Sequence, residues 1–544
     1  MRLQHSSQRF LLPLLAVAGA LLLAPVAGAT TAVVGYGSDA ELRSAVQATG
    51  GRVVRTIPSL HVAEIEHASR PHRFTSALLE RAGIDFVETV SRRVSAAEPA
   101  LAPWGSSTTP FADAPFEWQW AATRANAVPA SVLRAASGIT IAVVDTGADL
   151  SAPDLRAKSP TTHSVVNGGT SVRDRNGHGT FVSSLAAGSV TNGEGIAGFG
   201  GDANLLVIQA GGADGSFTDV DEAAAIVYAV DHGAKIINLS LGGVESSATE
   251  RRAVEYAASH GVLLVAAIGN EYEDGNPLEY PAALLQAPGS RGIGGLGLSV
   301  GASTQRGTRA PFSNTGSHLS LVAPGEEVLS ALSSQSPASI YPRFALPGSG
   351  SGLYGYSSGT SFASPQVAGA AALVWAAKPT ATATEVAQII EQTASGRGAW
   401  NSALGYGVLD VAAAVSAALG SSAPDELPSL RARSALGMKI KRSKSRVHIG
   451  ARLSSLMPAI SPARRLVRLQ AKQGRRWLTI ASARTDASGR VSWAVRPTGG
   501  QGLRVRYLGA SDLMSVSSRF VRVAGRQLPA RKLAGHVHVH GHHS

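Results

Sequence analysis

Short, continuous apolar runs alternate with helical patterns across the middle of the chain. The runs cover residues 139–144, 205–209, 236–241, 262–267, 298–301 and 319–322. The helical patterns cover 220–231, 249–259 and 361–377. Uninterrupted apolar strands separated by helices indicate an α/β domain with a doubly wound, mostly parallel sheet, predicted at 101–420. Functional sites in such sheets lie at the carboxyl ends of the strands.

The region before this domain has a different element order. A strand pattern at 31–35 precedes Ser38-Asp39-Ala40-Glu41, a capping-box pattern that predicts a helix ending at Gly50. Strands at 52–57 and 61–66, a helix at 74–81 and a strand at 85–90 complete a β-α-β-β-α-β order. Residues 30–100 are therefore predicted to form a small α+β domain with ferredoxin-like topology.

Strict alternation of apolar and polar residues characterises the region near the carboxyl terminus. Val467, Leu469 and Ala471 alternate with polar residues, and turn residues lie at 486–489 and 499–500. This pattern predicts a small all-β sandwich at 437–525, which a linker rich in Ser, Ala and Pro at 421–436 joins to the central domain. The tail at 526–544 is rich in His and could chelate zinc, copper or nickel, but we favour a tail without a metal site.

The first residues predict export from the cell. Arg2 and Arg9, an apolar run at 10–23 and the small residues Ala27-Gly28-Ala29 have the layout of a secretory signal peptide at 1–29. The apolar run is shorter than a spanning helix requires. The chain has no cysteine, which excludes disulfides, thiol catalysis and Cys-ligated zinc. We therefore expect a secreted, extracellular protein that no disulfide stabilises.

The net charge of +12 arises entirely in the region near the carboxyl terminus. From residue 421 onward there are 24 Lys and Arg against 4 Asp and Glu, whereas the preceding residues carry 25 against 33. This excess could hold the protein on anionic wall polymers or membranes by non-specific electrostatics, and a solubilising exterior explains it equally well. No nucleic-acid motif is present, so specific recognition of nucleic acid is not expected.

Three polar residues in Gly-rich or Ser-rich motifs carry the candidate chemistry. Asp145 directly follows a buried apolar strand, and His178 lies between two glycines before a helix of small residues. Ser361 opens another helix, where the positive end of the helix dipole suits a nucleophile whose attack creates an oxyanion. Each residue alone is more simply a turn or cap residue. Together, in the order Asp, His, Ser within one α/β domain, they predict a catalytic triad.

The motifs around these residues resemble the three signatures of the subtilase family. They read Asp145-Thr146-Gly147, His178-Gly179-Thr180 and Gly359-Thr360-Ser361-Phe362-Ala363-Ser364-Pro365. The resemblance covers roughly residues 117–420 and implies a subtilisin-like serine endopeptidase with a Ser361 acyl-enzyme. No metal or organic cofactor is implied for the reaction. Asp149, Asp154 and Asp174 could bind structural calcium, although their spacing matches no ligand loop.

The resemblance also assigns further site residues. It places the oxyanion-hole Asn at Asn270, beside the backbone of Ser361, and the substrate-binding strand at Ser240-Leu241-Gly242-Gly243. Glu279 precedes Tyr280-Pro281, at a position that lines the S1 pocket in the family. A carboxylate there implies a preference for Lys or Arg at P1, the substrate residue before the cleaved bond. A solvated loop carboxylate is the alternative.

The resemblance finally gives roles to the flanking regions. The domain at 30–100 is similar to a subtilase prodomain, which inhibits its own enzyme until autocleavage, and the junction is expected between Ser91 and Pro115. The carboxyl-terminal region resembles the Ig-like modules of secreted bacterial proteins. The expected partners are protein or peptide substrates and the chain's own prodomain. The alternative function is a catalytically silent, protease-like scaffold that binds a partner at the cell surface.

Overall fold

The structure is a computed structural model of the 544-residue chain. It describes residues 30–67, 71–95, 118–192, 195–337, 341, 353–421, 434–442, 446–455, 462–473, 476–495, 501–508 and 516–523. The predicted signal peptide, the His-rich tail and most of the predicted linker lie outside these residues. Across the described ranges, no helix combines the length and the apolar character needed to cross a membrane.

The amino-terminal unit has the predicted β-α-β-β-α-β order. Its elements are β1 (Thr30–Tyr36), α1 (Asp39–Thr49), β2 (Arg52–Ile57), β3 (Val62–His67), α2 (Pro71–Leu79) and β4 (Ile84–Glu88). The four strands form one sheet in the order β2-β3-β1-β4. Ser38 caps α1 by accepting a hydrogen bond from the backbone N–H of Glu41, and Gly50 ends the helix with a left-handed backbone, as the sequence predicts.

The central part of the chain forms a seven-stranded parallel sheet with helices around it. Its sheet order is β14-β13-β12-β10-β6-β8-β7, and every neighbouring pair is parallel. The elements from Arg92 onward are β5 (Arg92–Ser95), α3 (Trp118–Ala122), α4 (Ala130–Ala135), β6 (Thr140–Asp145), α5 (Pro153–Arg156), β7 (Thr161–Ser164), α6 (His178–Ala187), β8 (Asn204–Gln209), β9 (Ser216–Thr218), α7 (Asp219–Asp231), β10 (Ile236–Leu239), β11 (Leu241–Gly242), α8 (Ala248–Ser259), β12 (Leu263–Ala267), α9 (Ala282–Leu285), β13 (Gly297–Ser303), β14 (Leu321–Pro324), β15 (Val328–Ala331), β16 (Tyr354–Ser357), α10 (Thr360–Ala377), α11 (Ala383–Thr393) and α12 (Val411–Ala418).

This architecture confirms the predicted α/β class with a doubly wound, parallel sheet. The six predicted strands all form, because β6, β10, β12, β13 and β14 are buried along nearly their whole length and need the apolar runs that the sequence shows. One predicted strand, 236–241, is divided. Its first part, β10, belongs to the large sheet, whereas Leu241 and Gly242 form β11 in a separate sheet with β5 and β9.

Helix α10 runs through the centre of the domain and begins with the Ser361 motif. Sixteen of its residues, from Thr360 to Trp375, are buried, so the helix is enclosed by protein on every side. Its amino-terminal end lies beside the carboxyl ends of β10 and β12, because Ser364 donates hydrogen bonds to the Asn238 side chain and the Val265 carbonyl. The packing therefore brings the Ser361 motif to the edge of the sheet where sites are expected.

The carboxyl-terminal region is all-β, as predicted. Two antiparallel sheets, β17-β18-β21 and β20-β19-β22-β23 with β24 on β22, enclose an apolar core that includes Leu469 and Trp493. The strands are β17 (Ser434–Arg442), β18 (Val447–Ser455), β19 (Leu466–Gln473), β20 (Arg476–Arg484), β21 (Arg490–Val495), β22 (Gln501–Tyr507), β23 (Val516–Ser517) and β24 (Val521–Val523). Strand β17 begins three residues before the expected boundary at 437, because Leu436 is buried in this core.

Candidate active site

Asp145 lies at the carboxyl end of β6, in the interior of the parallel sheet. The strand is paired on both sides, with β10 and β8, and this fixes the backbone of its last residue. Asp145 is fully buried, and its Oδ1 accepts a hydrogen bond of 2.7 Å from the backbone N–H of Thr146. Both carboxylate oxygens face Nδ1 of His178, at 2.8 and 3.0 Å. The structure therefore pairs two of the predicted triad residues.

His178 is the first residue of α6, and the glycines on either side of it allow close packing. Gly177 has φ of 104°, a left-handed conformation that favours glycine. A Cβ at Gly179 would lie 2.1 Å from the carbonyl oxygen of Gly147, so only glycine allows the two segments to approach this closely. The Gly-His-Gly pattern thus lets the His178 loop pack directly on the loop after Asp145.

Asp174 organises this loop, although sequence reasoning considered it only as a calcium ligand. Its carboxylate accepts hydrogen bonds from Thr146 Oγ1, from the backbone of Gly177 and from both the backbone and the hydroxyl of Thr180. Burial raises the pKa of Asp174, and the hydrogen bonds from Thr180 and Gly177 oppose that rise. Asp174 thereby ties the loop after β6 to the start of α6. Its spacing of four residues before His178 is the sequence signal for this role.

The other two candidate calcium ligands also bind protein donors. Asp149 accepts hydrogen bonds from Ser151 and Ser334, through the backbone N–H and the hydroxyl of each. Asp154 accepts them from the Asn192 amide and the Tyr354 hydroxyl. Over the described ranges, no three His, Asp or Glu side chains are grouped as a metal site would require. These three carboxylates therefore have structural partners.

Ser361 lies in the first turn of α10 and makes two hydrogen bonds with Ser240. The Ser361 hydroxyl donates to the carbonyl oxygen of Ser240 at 3.1 Å, and the Ser240 hydroxyl donates to the carbonyl oxygen of Ser361 at 2.8 Å. The second bond exists because Pro365, four residues further along the helix, has no N–H to give that carbonyl. The nucleophile candidate is thus joined to the predicted substrate strand.

His178 and Asn270 lie close to the start of the same helix. The ring of His178 is 5.5 Å from that of Phe362, the residue after Ser361. The Oδ1 atom of Asn270 accepts a hydrogen bond of 2.8 Å from the backbone N–H of Thr360, the residue before Ser361. This bond orients the Asn270 carboxamide, and its Nδ2 atom lies beside Gly359, the residue before α10, 3.4 Å from where a Cβ would be. The predicted triad and oxyanion-hole residues are therefore brought together.

The predicted substrate strand pairs with another segment of the chain. In β11, Leu241 and Gly242 face Ser95 and Val94 of β5 in an antiparallel register. On its other side, β5 pairs with β9, and the backbone N–H of Ser95 donates to the carbonyl of Gly215 at 2.9 Å. An extended peptide thus occupies the central position of a three-stranded sheet. Sequence reasoning did not identify β5 or β9.

Glu279 is buried between the substrate strand and the loop that carries Asn270. A Cβ at Gly242 would lie 2.6 Å from its Oε2, and a Cβ at Gly269 would lie 2.1 Å from its Oε1. The side chain of Asn314 donates to Oε1 at 3.1 Å. Burial and the neighbouring Glu271 raise the pKa of Glu279 to about 9, so the carboxyl group is protonated at neutral pH. The group is therefore buried and not a solvated loop carboxylate, and its assignment to S1 stays a prediction.

Comparisons with known proteins agree with this geometry. The Subtilase family, Peptidase_S8, matches residues 136–407, which is half of the chain. Subtilisin BL from Lederbergia lenta is 36% identical over 278 residues, which cover 51% of this chain and 91% of that protein. A thermophilic serine proteinase from Bacillus sp. (strain AK1) is 37% identical over 263 residues, or 48% of this chain and 58% of that protein. The chain thus spans less than two thirds of the Bacillus protein.

A solved structure extends the likeness to more of the chain. The crystal structure of fervidolysin from Fervidobacterium pennivorans, a keratinolytic enzyme related to subtilisin, matches with a TM-score of 0.60 and 23% sequence identity. The match covers 93% of this chain and 78% of that chain, and at this identity it shows a shared fold. Together with the family match and the identity to subtilisin BL, these findings show that the chain belongs to the subtilase family and is a subtilisin-like serine protease.

Proposed function

We propose that the chain is a secreted serine endopeptidase that cleaves peptide bonds through a Ser361 acyl-enzyme. The observation that carries this proposal is the buried Asp145–His178 pair beside the start of α10, where Ser361 adjoins the substrate strand. Since Nδ1 of His178 faces a carboxylate, its proton is held there and Nε2 is the basic nitrogen. Rotation of the Ser361 hydroxyl from the Ser240 carbonyl toward Nε2 begins the reaction.

The reaction follows from the roles of these groups. His178 removes the proton of Ser361 as Oγ attacks the peptide carbonyl, and later delivers it to the leaving amine. Asp145 holds the imidazole and stabilises its charged form. The Nδ2 group of Asn270 and the backbone N–H of Ser361 stabilise the oxyanion. The backbone of Ser240, Leu241, Gly242 and Gly243 binds the substrate as an antiparallel strand.

We further propose that the protein is made as a self-inhibited zymogen. The segment β5 lies where an extended substrate would bind, and its last residue, Ser95, is opposite Leu241, the residue after Ser240. Ala96 follows Ser95 in the sequence and lies outside the described residues. Because Ser240 is bonded to Ser361, autocleavage is expected at the bond between Ala96 and Ala97, within the predicted junction.

Export and surface attachment complete the proposal. The signal peptide predicted at 1–29 directs secretion. Positive charge on the carboxyl-terminal β-sandwich would retain the enzyme on anionic cell-surface polymers. Retention on an anionic polymer that does not fall as salt increases would contradict this second role.

A serine-reactive fluorophosphonate probe tests the function. We expect the matured protein to be labelled and to hydrolyse casein, and Ser361→Ala to abolish labelling and lower turnover by about 10⁴-fold or more. The matched control is Ser246→Ala, at an exposed serine, which should change neither result. Absence of labelling, or labelling that survives Ser361→Ala, would favour the silent scaffold instead.

A further inference from the structure

Arg93, at the centre of β5, is a fully buried arginine whose guanidinium binds acidic side chains. Its Nε and one terminal nitrogen donate to the two carboxylate oxygens of Glu250, at 3.2 and 3.1 Å. Glu222 lies 3.7 Å away on the same side. All three side chains have 0% exposure to solvent. This geometry is the two-point pairing that the planar guanidinium forms best with a carboxylate.

The acidic groups come from two helices next to the substrate strand. Asp219 and Glu222 lie in the first turn of α7, and Glu250 lies in the first turn of α8. Asp219 also accepts a hydrogen bond of 3.0 Å from the backbone N–H of Ser91, just before β5. A Cβ at Gly243 would lie 3.1 Å from Cδ of Arg93, so the backbone of the substrate strand forms another wall. The guanidinium therefore occupies a closed, acidic pocket.

The charges in this pocket are arranged for one cation. Burial raises the pKa of Glu222 well above its usual range, and the charge of Glu250 raises it further. Burial lowers the pKa of Arg93, but Glu250 and Glu222 outweigh this effect and the net change is upward. Burial also raises the pKa of Glu250, and the charge of Arg93 and its hydrogen bonds oppose that rise. The two-point bond to Glu250 thus holds the Arg93 guanidinium in the pocket. A guanidinium remains charged inside the protein.

The register of β5 gives this pocket a place in the substrate-binding cleft. Ser95 faces Leu241, the residue after Ser240, whose carbonyl accepts the Ser361 hydroxyl. With cleavage after residue 96, as proposed above, residue 96 is P1, the residue before the cleaved bond. Counting back along the strand, Arg93 is P4, and it pairs with Phe217 of β9 on the other side. The acidic pocket is thus the S4 subsite.

We propose that the pocket of Asp219, Glu222 and Glu250 selects substrates with arginine at P4. This inference rests on the proposed endopeptidase function and names a substrate class for the same cleft. When the β5 segment leaves, the carboxyl groups lose their cation while they remain in a pocket shaped around it. An incoming P4 arginine restores the buried pair, whereas an apolar P4 residue leaves the buried Glu250 carboxyl group without its guanidinium partner.

The proposed preference is tested by measuring how the wild-type enzyme cleaves four substrates that differ only at P4. The series is acetyl-Xaa-Val-Ser-Ala p-nitroanilide with Arg, Lys, Leu or Glu as Xaa, and it reproduces the order of residues 93–96. We expect kcat/KM for Arg to exceed that for Leu by about 10- to 100-fold, the range for charge-assisted hydrogen bonds in a buried site. Lys should lie between Arg and Leu, because it makes a single-point contact, and Glu should be worst.

Isosteric variants then identify the carboxyl group that causes the preference for arginine at P4. Glu250→Gln should remove most of the preference for Arg over Leu, while Glu255→Gln, at an exposed position on the same helix α8, should preserve it. Both comparisons use the ratio of kcat/KM for the Arg substrate to kcat/KM for the Leu substrate, so a general loss of activity cancels. A ratio that Glu250→Gln leaves unchanged would overturn the assignment of the pocket.

The result separates this inference from the proposed function. Equal cleavage of the Arg and Leu substrates, together with fluorophosphonate labelling of Ser361, overturns the S4 preference and leaves the endopeptidase standing. Absence of both cleavage and labelling overturns the endopeptidase and, with it, the inference.

Discussion

At the scale of single residues, Glu279 shows how burial changes the charge of a side chain. The resemblance to a known family directs attention to the residue before Tyr280-Pro281, and Glu279 lies between Gly242 and Gly269. What the sequence does not reveal is that Glu271 and burial hold the pKa of this group near 9. The preference for a basic P1 residue therefore stays a prediction, and it becomes one that depends on pH.

The raised pKa of Glu279 determines the direction in which the P1 preference changes with pH. Because the pKa of Glu279 is raised to about 9, the group is neutral below that value and gains charge as the pH rises through it. We expect the ratio of kcat/KM for P1 Lys over P1 Leu substrates to increase between about pH 7 and 9.5. A ratio cancels the pH dependence that the two substrates share through His178.

Variants at the two carboxyl groups test the cause. Glu279→Gln should make the ratio low and independent of pH. Glu271→Gln should move the rise to lower pH, since Glu271 is one of the groups that raise the pKa of Glu279. No preference for Lys or Arg at any pH, or one that persists in Glu279→Ala, would show that Glu279 does not act in S1.

At the scale of elements, Pro365 connects a helix to the substrate strand. A proline within a helix leaves the carbonyl four residues earlier without its usual N–H donor. Here that carbonyl belongs to Ser361, and the hydroxyl of Ser240 supplies the missing hydrogen bond. The local defect in α10 is therefore what allows the helix and the strand to bond directly.

A double-mutant cycle measures this connection. Ser240→Ala leaves the Ser361 carbonyl buried without that donor, and we expect it to lower the free energy of unfolding by about 1–3 kcal/mol. In a Pro365→Ala background the restored N–H takes over the carbonyl, so the same substitution should cost clearly less. Urea unfolding in a Ser361→Ala background avoids autolysis. Equal costs in the two backgrounds would mean that the two residues are independent.

The same scale shows which elements the sequence predicts and which it does not. Apolar strands such as β6 and β12 are predicted because burial on both faces requires continuous apolar residues. The triad motifs are predicted because their spacing and order are distinctive. Strand β7 is polar and lies at the sheet edge, and β5, β9 and β11 have only two to four residues each, so none produces a pattern.

The acidic pocket was missed for a related reason. Glu222 and Glu250 lie in the first turns of helices, where acidic residues are common because they interact favourably with the helix dipole. Their burial, and the approach of Arg93 from a segment more than a hundred residues away, arise only in the tertiary structure. Neither periodicity nor a motif marks such a pair.

At the scale of the whole molecule, buried carboxyl groups tie stability to pH. Burial raises the pKa of Glu391 in α11 to about 8, whereas its ordinary value is 4.5. The folded protein therefore keeps this proton at pH values where the unfolded chain has lost it. The stability that the group contributes is complete below about pH 4.5 and is lost as the pH rises through about 8.

Glu391→Gln should remove this dependence, because a neutral amide replaces a carboxyl group that must stay neutral. We expect Tm of the variant to match that of the parent near pH 4.5 and to exceed it at pH 8–9, measured by calorimetry in a Ser361→Ala background. Glu255→Gln, at an exposed position, serves as the control and should leave the difference near zero throughout. A Tm difference for Glu391→Gln that does not change with pH would refute the explanation.

The strand β5 has a consequence for anyone who wishes to redesign this protease. Since β5 directly precedes the bond at which autocleavage is proposed, the chain carries its own reference substrate, and the cleft and that substrate must change together. Under the proposed zymogen mechanism, a cleft rebuilt to accept leucine in place of Arg93 would no longer recognise the junction at which the chain is cleaved. Selection for a new specificity would then have to begin with paired libraries, in which residues 92–96 and the pocket vary at the same time.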